Sequence, residues 1–441
     1  MSDKIIVIGN GFDLRHFLPT KYNHLITILR EIEQLNINTP INFQSLFSKS
    51  FKDKDGWFYD GICEYYRVDD ILFDIDGVKN IQKRLENNNW YQYLKTVEDS
   101  QIETWIDFET EINRVLEIIL DYFESYNSNL FVGNPLWRNY DGERRNFSII
   151  TNKYKDYFKN KLQFNILRNF QLINEDLGQF SIINDKYVLN IDNDIQYYKE
   201  KYFFDSIYKE LEEFIGIFND YIIYIINPFY EHFFSNNKEM FIKKDTVFLF
   251  DNIDKILSFN YTDTYGKLYK TEDIIGDVLK NTMNKSPKQE FIHGVSKTRW
   301  SKIDDLKMVL GVSDVTDYLK KHKLFQFTKY FQKLHKNTDY LFIDSEINLL
   351  KRIENIPLNN IYYFWGHSLD VSDGEYIKDI FYVVEKTDSN ICIFYHSISG
   401  KAEQLKNLLN IINKDIIESL MKEKKLRFME STFENLYAEL A

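Results

Sequence analysis

Cysteine is nearly missing from the 441-residue chain, which has only Cys63 and Cys392. Two distant thiols exclude a disulfide framework and every cysteine-based zinc spacing. The eight histidines are scattered singly, with no pair at the helical spacing that a metal needs, so no metal centre is expected. Basic residues are in deficit, leaving a net charge of −12. This argues against nucleic acid or an anionic membrane surface as the main partner, since both require clustered Lys and Arg.

Long apolar runs are also absent. The most apolar later stretch, residues 214–230, is interrupted by Asn219, Asp220, Asn227 and Pro228, so no membrane span is expected. The N-terminus has no positive region followed by an apolar core, and a cytoplasmic protein is expected. No internal repeat is visible. Gly366-His367-Ser368-Leu369-Asp370 carries Asp where a nucleophile elbow requires its second glycine. The acidic stretch 190–194 lacks the glycine and the terminal Glu of a calcium loop.

Hydrophobic residues (44%) and aromatics (17%) are plentiful, enough to bury a sizeable core and to exclude long disorder. Ile5-Ile6-Val7-Ile8 reads as a strand buried on both faces, as in the middle of a parallel sheet. It stops at Gly9-Asn10-Gly11, ahead of a helix starting near Asp13. Such a turn leaves backbone N–H groups facing a helix N-terminus, the outline of a phosphate site. The third glycine of a full dinucleotide fingerprint is replaced by Leu14. From these residues alone, a nucleotide cradle and a purely structural strand-to-helix turn both remain open.

A helix over 24–32 follows, ended by 36–40. Residues 41–240 then read as a mainly helical insertion. Its clearest helices are 102–119, with Trp105, Phe108, Ile112, Val115, Leu116 and Ile119 on one face, and 204–225. Glu109 borders the first of these apolar faces, either as a solvated or paired edge carboxylate or as part of a site. Strand texture returns at 246–250, 255–259, 290–292, 307–310, 361–365 and 390–395, with a mainly helical stretch at 316–350. The unit 361–395 reads as a strand, polar loop, helix and strand. From 401 onward a helix and a short tail are expected, with 421–427 as a solvated charged face.

Ligands bind at the carboxyl ends of an open parallel sheet, so Asn260, His293 and Ser368, each just past a predicted strand, would face the same crevice as Gly9 and Gly11. Each also has a structural alternative: Asn260 as a turn cap, His293 as a satisfied histidine, and Ser368 and Asp13 as helix N-caps. His367 and Asp373 are further candidates in the same loop.

Several motifs agree with one family. Ile8-Gly9-Asn10-Gly11-Phe12-Asp13-Leu14 with Leu18-Pro19-Thr20-Lys21-Tyr22, then Trp105-Ile106-Asp107-Phe108-Glu109, Phe259-Asn260-Tyr261-Thr262, Ile292-His293-Gly294 and Gly366-His367-Ser368-Leu369, resemble the AbiH family of bacteriophage abortive-infection proteins. A more remote similarity is to the sirtuin-like NAD-binding fold. The resemblance implies an α/β fold, a Rossmann-type (sirtuin-like) parallel sheet core. The core would occupy residues 1–40 and 241–400, with the helical insertion at 41–240 and a C-terminal helix and tail at 401–441.

The resemblance also implies roles by position. Gly9, Asn10 and Gly11 would form the phosphate turn, with Phe12 and Asp13 as cofactor-binding candidates beside it, Asn260 would orient the ribose and a water, and His293 would be the general base. Gly366 and Ser368 would contact the ribose or phosphate, with His367 and Asp373 as cofactor-binding candidates in the same loop. The sirtuin four-cysteine zinc module is missing, which disfavours deacylation and leaves hydrolysis of NAD at the nicotinamide–ribose bond. That step passes through an oxocarbenium-like state whose leaving group departs as neutral nicotinamide. A base near neutrality is then more useful than a strong acid. The implied partners are NAD or a related nucleotide as substrate, a phage-derived trigger and a second copy of the chain. The rival readings are a module that binds NAD or ADP-ribose, or another protein, without catalysis, and a nucleic-acid-directed toxin.

Overall fold

Six short strands form one wholly parallel sheet: β1 (Lys4–Ile8), β2 (Lys255–Ser258), β3 (Lys288–Phe291), β4 (Ile361–Trp365), β5 (Asn390–Tyr395) and β6 (Leu426–Glu430). The computed structural model describes residues 3–37, 40–97, 105–130, 161–173, 184–191, 195–233, 250, 252–269, 287–298, 305–338, 342–343, 346–348, 350 and 358–440. The spatial order is β6-β5-β4-β1-β2-β3. This is the order of a doubly wound, Rossmann-like sheet, in which the direction of winding reverses between β1 and β4.

The near-continuous apolar strands reflect a sheet covered on both faces. Ile5, Val7, Leu257, Tyr362, Phe364, Ile391 and Ile393 pack on one side. Ile6, Ile8, Ile256, Tyr363, Trp365, Cys392 and Phe394 pack on the other. Burying each large apolar side chain contributes about 1.5–3 kcal/mol, which holds the layers together.

Helices α1 (Asn10–Arg15) and α2 (Tyr22–Gln34) follow β1. The apolar periodicity of the insertion matches α3 (Trp105–Leu130) and α4 (Glu200–Tyr221). Residues 102–104 of the expected helix, and 192–194 of the acidic stretch, lie outside the described residues. Phe108, Ile112, Val115, Leu116, Phe214 and Phe218 share a core with Tyr22, Leu25, Ile26 and Leu29 of α2, so the insertion is packed directly onto the sheet's own helix.

Two expectations are corrected. Residues 307–310 are buried but join no strand of the sheet: Val309 N–H donates to His293 O at 3.0 Å, and Leu310 N–H donates to Gln332 Oε1 at 3.0 Å. The run satisfies its backbone by spanning from the end of β3 to helix α5 (Lys329–Lys336). The C-terminal part is also more than a helix and tail. After α6 (Gly374–Lys386) and β5 it forms α7 (Ile398–Ile411), α8 (Lys414–Lys422), the edge strand β6 and α9 (Phe433–Leu440). The charge pattern misleads because Arg427 lies on an edge strand and pairs with Glu439 of α9. The strand expected at 246–250 falls mostly on 246–249, outside the described residues. Among the described residues, no helix is long and apolar enough to cross a membrane.

Candidate functional site

Two turns meet where the sheet changes winding direction. The turn after β1 carries Gly9, Asn10 and Gly11, and the turn after β4 carries Gly366 and His367. Gly11 N–H donates to Gly366 O at 2.8 Å, and Phe12 N–H donates to Gly9 O at 2.9 Å. Gly366 has φ +67°, and a Cβ there would lie 2.2 Å from the Phe12 nitrogen; one on Gly11 would lie 2.8 Å from Gly366 O. Only glycine permits this backbone contact. In this conformation the Gly11 and Phe12 amides are therefore engaged within the protein. Asn10 is tied to the next loop, accepting from Thr20 Oγ1 at 2.7 Å. Phe12 is buried edge-on against Trp365, with ring centroids 5.0 Å apart.

Asp13 is buried and joins α1 to the loop after β2. It accepts from Thr262 Oγ1 at 2.5 Å and Thr264 Oγ1 at 2.7 Å. Burial pushes its carboxyl up to about 6, with both hydroxyls pulling it back. Asn260, at the end of β2, brings its Nδ2 towards the same carboxylate without closing a good hydrogen bond.

His293 follows β3, and the glycine after it is dictated by space: Gly294 has φ +80°, and a Cβ would lie 2.1 Å from Lys307 O. The imidazole is 4% exposed, among Phe259, Tyr261 and Tyr376. Its Nε2 lies 2.9 Å from Asp373 Oδ1, at the start of α6, while Nδ1 is buried without a hydrogen-bond partner. A carboxylate at Nε2 assigns the proton there and leaves Nδ1 as a lone-pair acceptor. Burial lowers the His293 pKa to about 3, the Lys333 ammonium adding to the effect and Asp373 opposing it, so the ring is neutral at physiological pH.

Asp373 is the hub of the cluster. His367 Nδ1 accepts from Leu369 N–H at 3.0 Å, which places its proton on Nε2, 3.6 Å from Asp373 Oδ2. Lys329 Nζ lies 3.8 Å from Asp373 Oδ1 and 2.5 Å from Glu109 Oε1. Burial alone would raise the Asp373 pKa, but Lys329, His293 and His367 together hold it well below the usual carboxylate range. Burial pushes Glu109 up to about 7 against the pull of Lys329. Burial would lower Lys329, yet Glu109 and Asp373 outweigh it and hold the ammonium charged.

The fold thus brings His293, His367 and Asp373 into contact and adds Glu109 from the insertion. Asn260 and Asp13 form a neighbouring pair at β2, and the glycines line the joint between β1 and β4. Ser368 is exposed, and its carbonyl accepts from Asn407 Nδ2 at 3.0 Å. The cap expected of Ser368 is supplied by Asp370, whose Oδ1 accepts from Ser372 N–H at 2.8 Å.

Sequence reasoning missed Lys329, Lys333 and Tyr376. Helix α5 is inverted relative to ordinary amphipathicity: Lys329, Gln332, Lys333 and Lys336 face inward, while Tyr330, Phe331 and Leu334 are exposed. Lys333 Nζ contacts Tyr376 Oη and lies 4.1 Å from the centre of its ring. Lys336 Nζ donates to Met308 O at 3.0 Å. The one sequence signal is a stripe of lysines at spacings of four and three. Among the described residues no group of three His, Cys, Asp or Glu could hold a metal ion.

No curated protein matches the chain, and no solved structure matches it. A family model described as "Bacteriophage abortive infection AbiH" matches residues 5–395, from β1 through β5 and including the insertion. The match spans the glycine joint, Asp13, Glu109, Asn260, His293, Lys329, His367 and Asp373, and the chain belongs to the bacteriophage abortive infection AbiH family.

Proposed function

We propose that the protein takes part in abortive infection by hydrolysing NAD at the nicotinamide–ribose bond, on a sirtuin-like Rossmann core. The observation that carries this reading is the His293–Asp373 pair. It sits at the carboxyl end of a parallel strand, with Nε2 committed to a carboxylate and Nδ1 left as an unpartnered acceptor. A neutral imidazole oriented in this way can take a proton from a ribose hydroxyl or an attacking water. Asn260, just past the adjacent strand, has its amide nitrogen near Asp13 without a closed hydrogen bond and would donate to the same hydroxyl or water. Asp373 would stabilise the imidazolium as it forms. No acid is needed at the leaving group, because the cationic pyridinium departs as neutral nicotinamide.

The test is to incubate the purified protein with NAD, alone and with lysate from phage-infected cells, and to measure nicotinamide and ADP-ribose. Hydrolysis is expected, with loss of turnover by about 10²-fold or more in His293→Ala and Asn260→Ala variants that still fold. NAD left intact under both conditions refutes the enzyme. The low pKa of His293, about 3 where a general base works best near neutrality, favours a second reading, a module that binds NAD or ADP-ribose without cleaving it. Calorimetry showing stoichiometric binding with no nicotinamide released would select that reading.

A further inference from the structure

Asp373 Oδ1 is shared. The same oxygen lies 2.9 Å from His293 Nε2 and 3.8 Å from Lys329 Nζ. A neutral imidazole N–H is a weaker partner for a carboxylate than an ammonium, so Lys329 is a natural competitor for this oxygen. What keeps it at a distance is Glu109, which holds Nζ at 2.5 Å. Lys333, the other ammonium near His293, is held over the Tyr376 ring.

We propose that Glu109 and Lys329 are positioning residues for the His293–Asp373 pair: Glu109 holds the Lys329 ammonium off the carboxylate oxygen that orients His293. The inference deepens the catalytic reading of His293 and rests on it.

The arrangement makes the insertion part of the site. Glu109 lies on α3, and the same helix holds the segment leading to Lys329 at two further points along its length. Glu117 Oε1 accepts from Thr316 Oγ1 at 2.9 Å, and Glu124 Oε1 lies 3.1 Å from His322 Nε2. Glu109, Glu117 and Glu124 are spaced eight and seven residues apart, which puts them on one face of the helix. His322 Nδ1 also lies 3.2 Å from Glu200 Oε1, so α4 joins the same contact. A displacement of α3 that withdrew Glu109 would release Lys329 towards Asp373 and loosen the orientation of His293. The insertion would thereby control the strand-end site without contributing a group to the reaction.

The groups facing His293 are Asp373, Lys329, Lys333, Tyr261, Tyr376 and Phe259, and its imidazole nitrogens report directly on which partner Asp373 holds. The experiment uses full-length protein labelled with ¹⁵N-histidine. Long-range ¹H–¹⁵N spectra are recorded at pH 7, with His293→Gln identifying the signal. Wild type is expected to show a protonated Nε2 and an unprotonated Nδ1. Glu109→Gln should shift the pattern towards a mixture of tautomers. The Glu109→Gln/Lys329→Met double variant, with the competitor removed, should return it to the wild-type pattern.

Unchanged imidazole signals in Glu109→Gln, or a double variant displaced as far as the single one, would overturn the proposal. Glu109→Asp keeps the charge but retracts it by a methylene and should give a partial shift. It decides the matter if Glu109→Gln does not fold, since a wild-type pattern in Glu109→Asp also counts against the proposal. If NAD is cleaved, Glu109→Gln should lower kcat roughly tenfold with KM within about twofold, and the double variant should recover it. Intact NAD together with the expected spectra would remove the hydrolase reading while the positioning role stands.

Discussion

Substituting Gly366 by alanine tests whether the joint between β1 and β4 is a packing contact. The residue sits at φ +67°, where a non-glycine residue costs about 1–2 kcal/mol. Its new Cβ would lie 2.2 Å from the Phe12 nitrogen and 2.5 Å from the Gly11 carbonyl carbon, both backbone atoms that cannot rotate away. Relieving the overlap means moving the start of α1 away from the turn after β4, at the expense of the 2.8 Å bond from Gly11 N–H to Gly366 O, worth about 1 kcal/mol. Overpacking adds about 1–3 kcal/mol, so the total is about 3–6 kcal/mol.

The control is Gly374→Ala. Gly374 is helical, and its nearest neighbour would be an Ile411 side-chain carbon at 3.6 Å, so alanine should be neutral or stabilise by up to about 1 kcal/mol. Urea unfolding followed by tryptophan fluorescence measures both, with Trp365 adjacent to the joint. The expected result is a markedly lower midpoint for Gly366→Ala at unchanged slope, and no loss for Gly374→Ala. Equal midpoints in the two variants would refute the reasoning.

Two further outcomes follow from buried charge. Arg84 holds Asp220 at 2.8 Å and Glu213 at 3.0 Å, and the Asp220 side chain is only 5% exposed, so Arg84→Met should cost about 3 kcal/mol in thermal unfolding by leaving the Asp220 carboxylate to the neutral amides of Asn80 and Asn219; an unchanged melting temperature would mean that these amides suffice to hold it. His16 is buried between Phe12 O and Tyr269 Oη, and burial lowers its pKa from 6.5 to about 4. The native state therefore refuses a proton that the unfolded chain accepts. The stability this neutral ring contributes is present above pH 6.5 and is lost as pH falls towards 4, about 2 kcal/mol by pH 5. Asp13, raised to about 6, works in the opposite sense over the same range. Urea midpoints at pH 7 and 5 should differ less in His16→Gln than in wild type, and an equal pH slope in both would count against this placement of His16.

Much of the framework was legible because it is written in local periodicity. Ile5 to Ile8 and 361–365 are runs that only a doubly covered strand can bury, and β1 and β4 are neighbours in the sheet. The stripes from Phe108 and from Phe204 predicted α3 and α4 because a helix repeats its apolar face every three to four residues. The edge strand β6 escaped notice because an edge needs cover on fewer sides and tolerates charge. The run at 307–310 looked like a strand because burial without periodicity does not distinguish a strand from an extended segment satisfied by side chains.

The sequence by itself determined the parallel α/β core, the long helices α3 and α4, the glycine-bearing turns and the motifs that mark the AbiH family. Only the tertiary structure decided which partners those motifs meet. Gly11 and Gly366 show their purpose when their backbones touch, and Asp373 becomes a hub through His367 of its own loop and through His293 and Lys329, which come from other elements. Local pattern would have turned Tyr330, Phe331 and Leu334 inward and the lysines outward. The reverse holds because Glu109 and Asp373, far away in the chain, supply the charge that makes burying Lys329 tolerable. Apolar burial repeats along a segment and can be read there, whereas the burial of a charge depends on a partner that the segment does not contain.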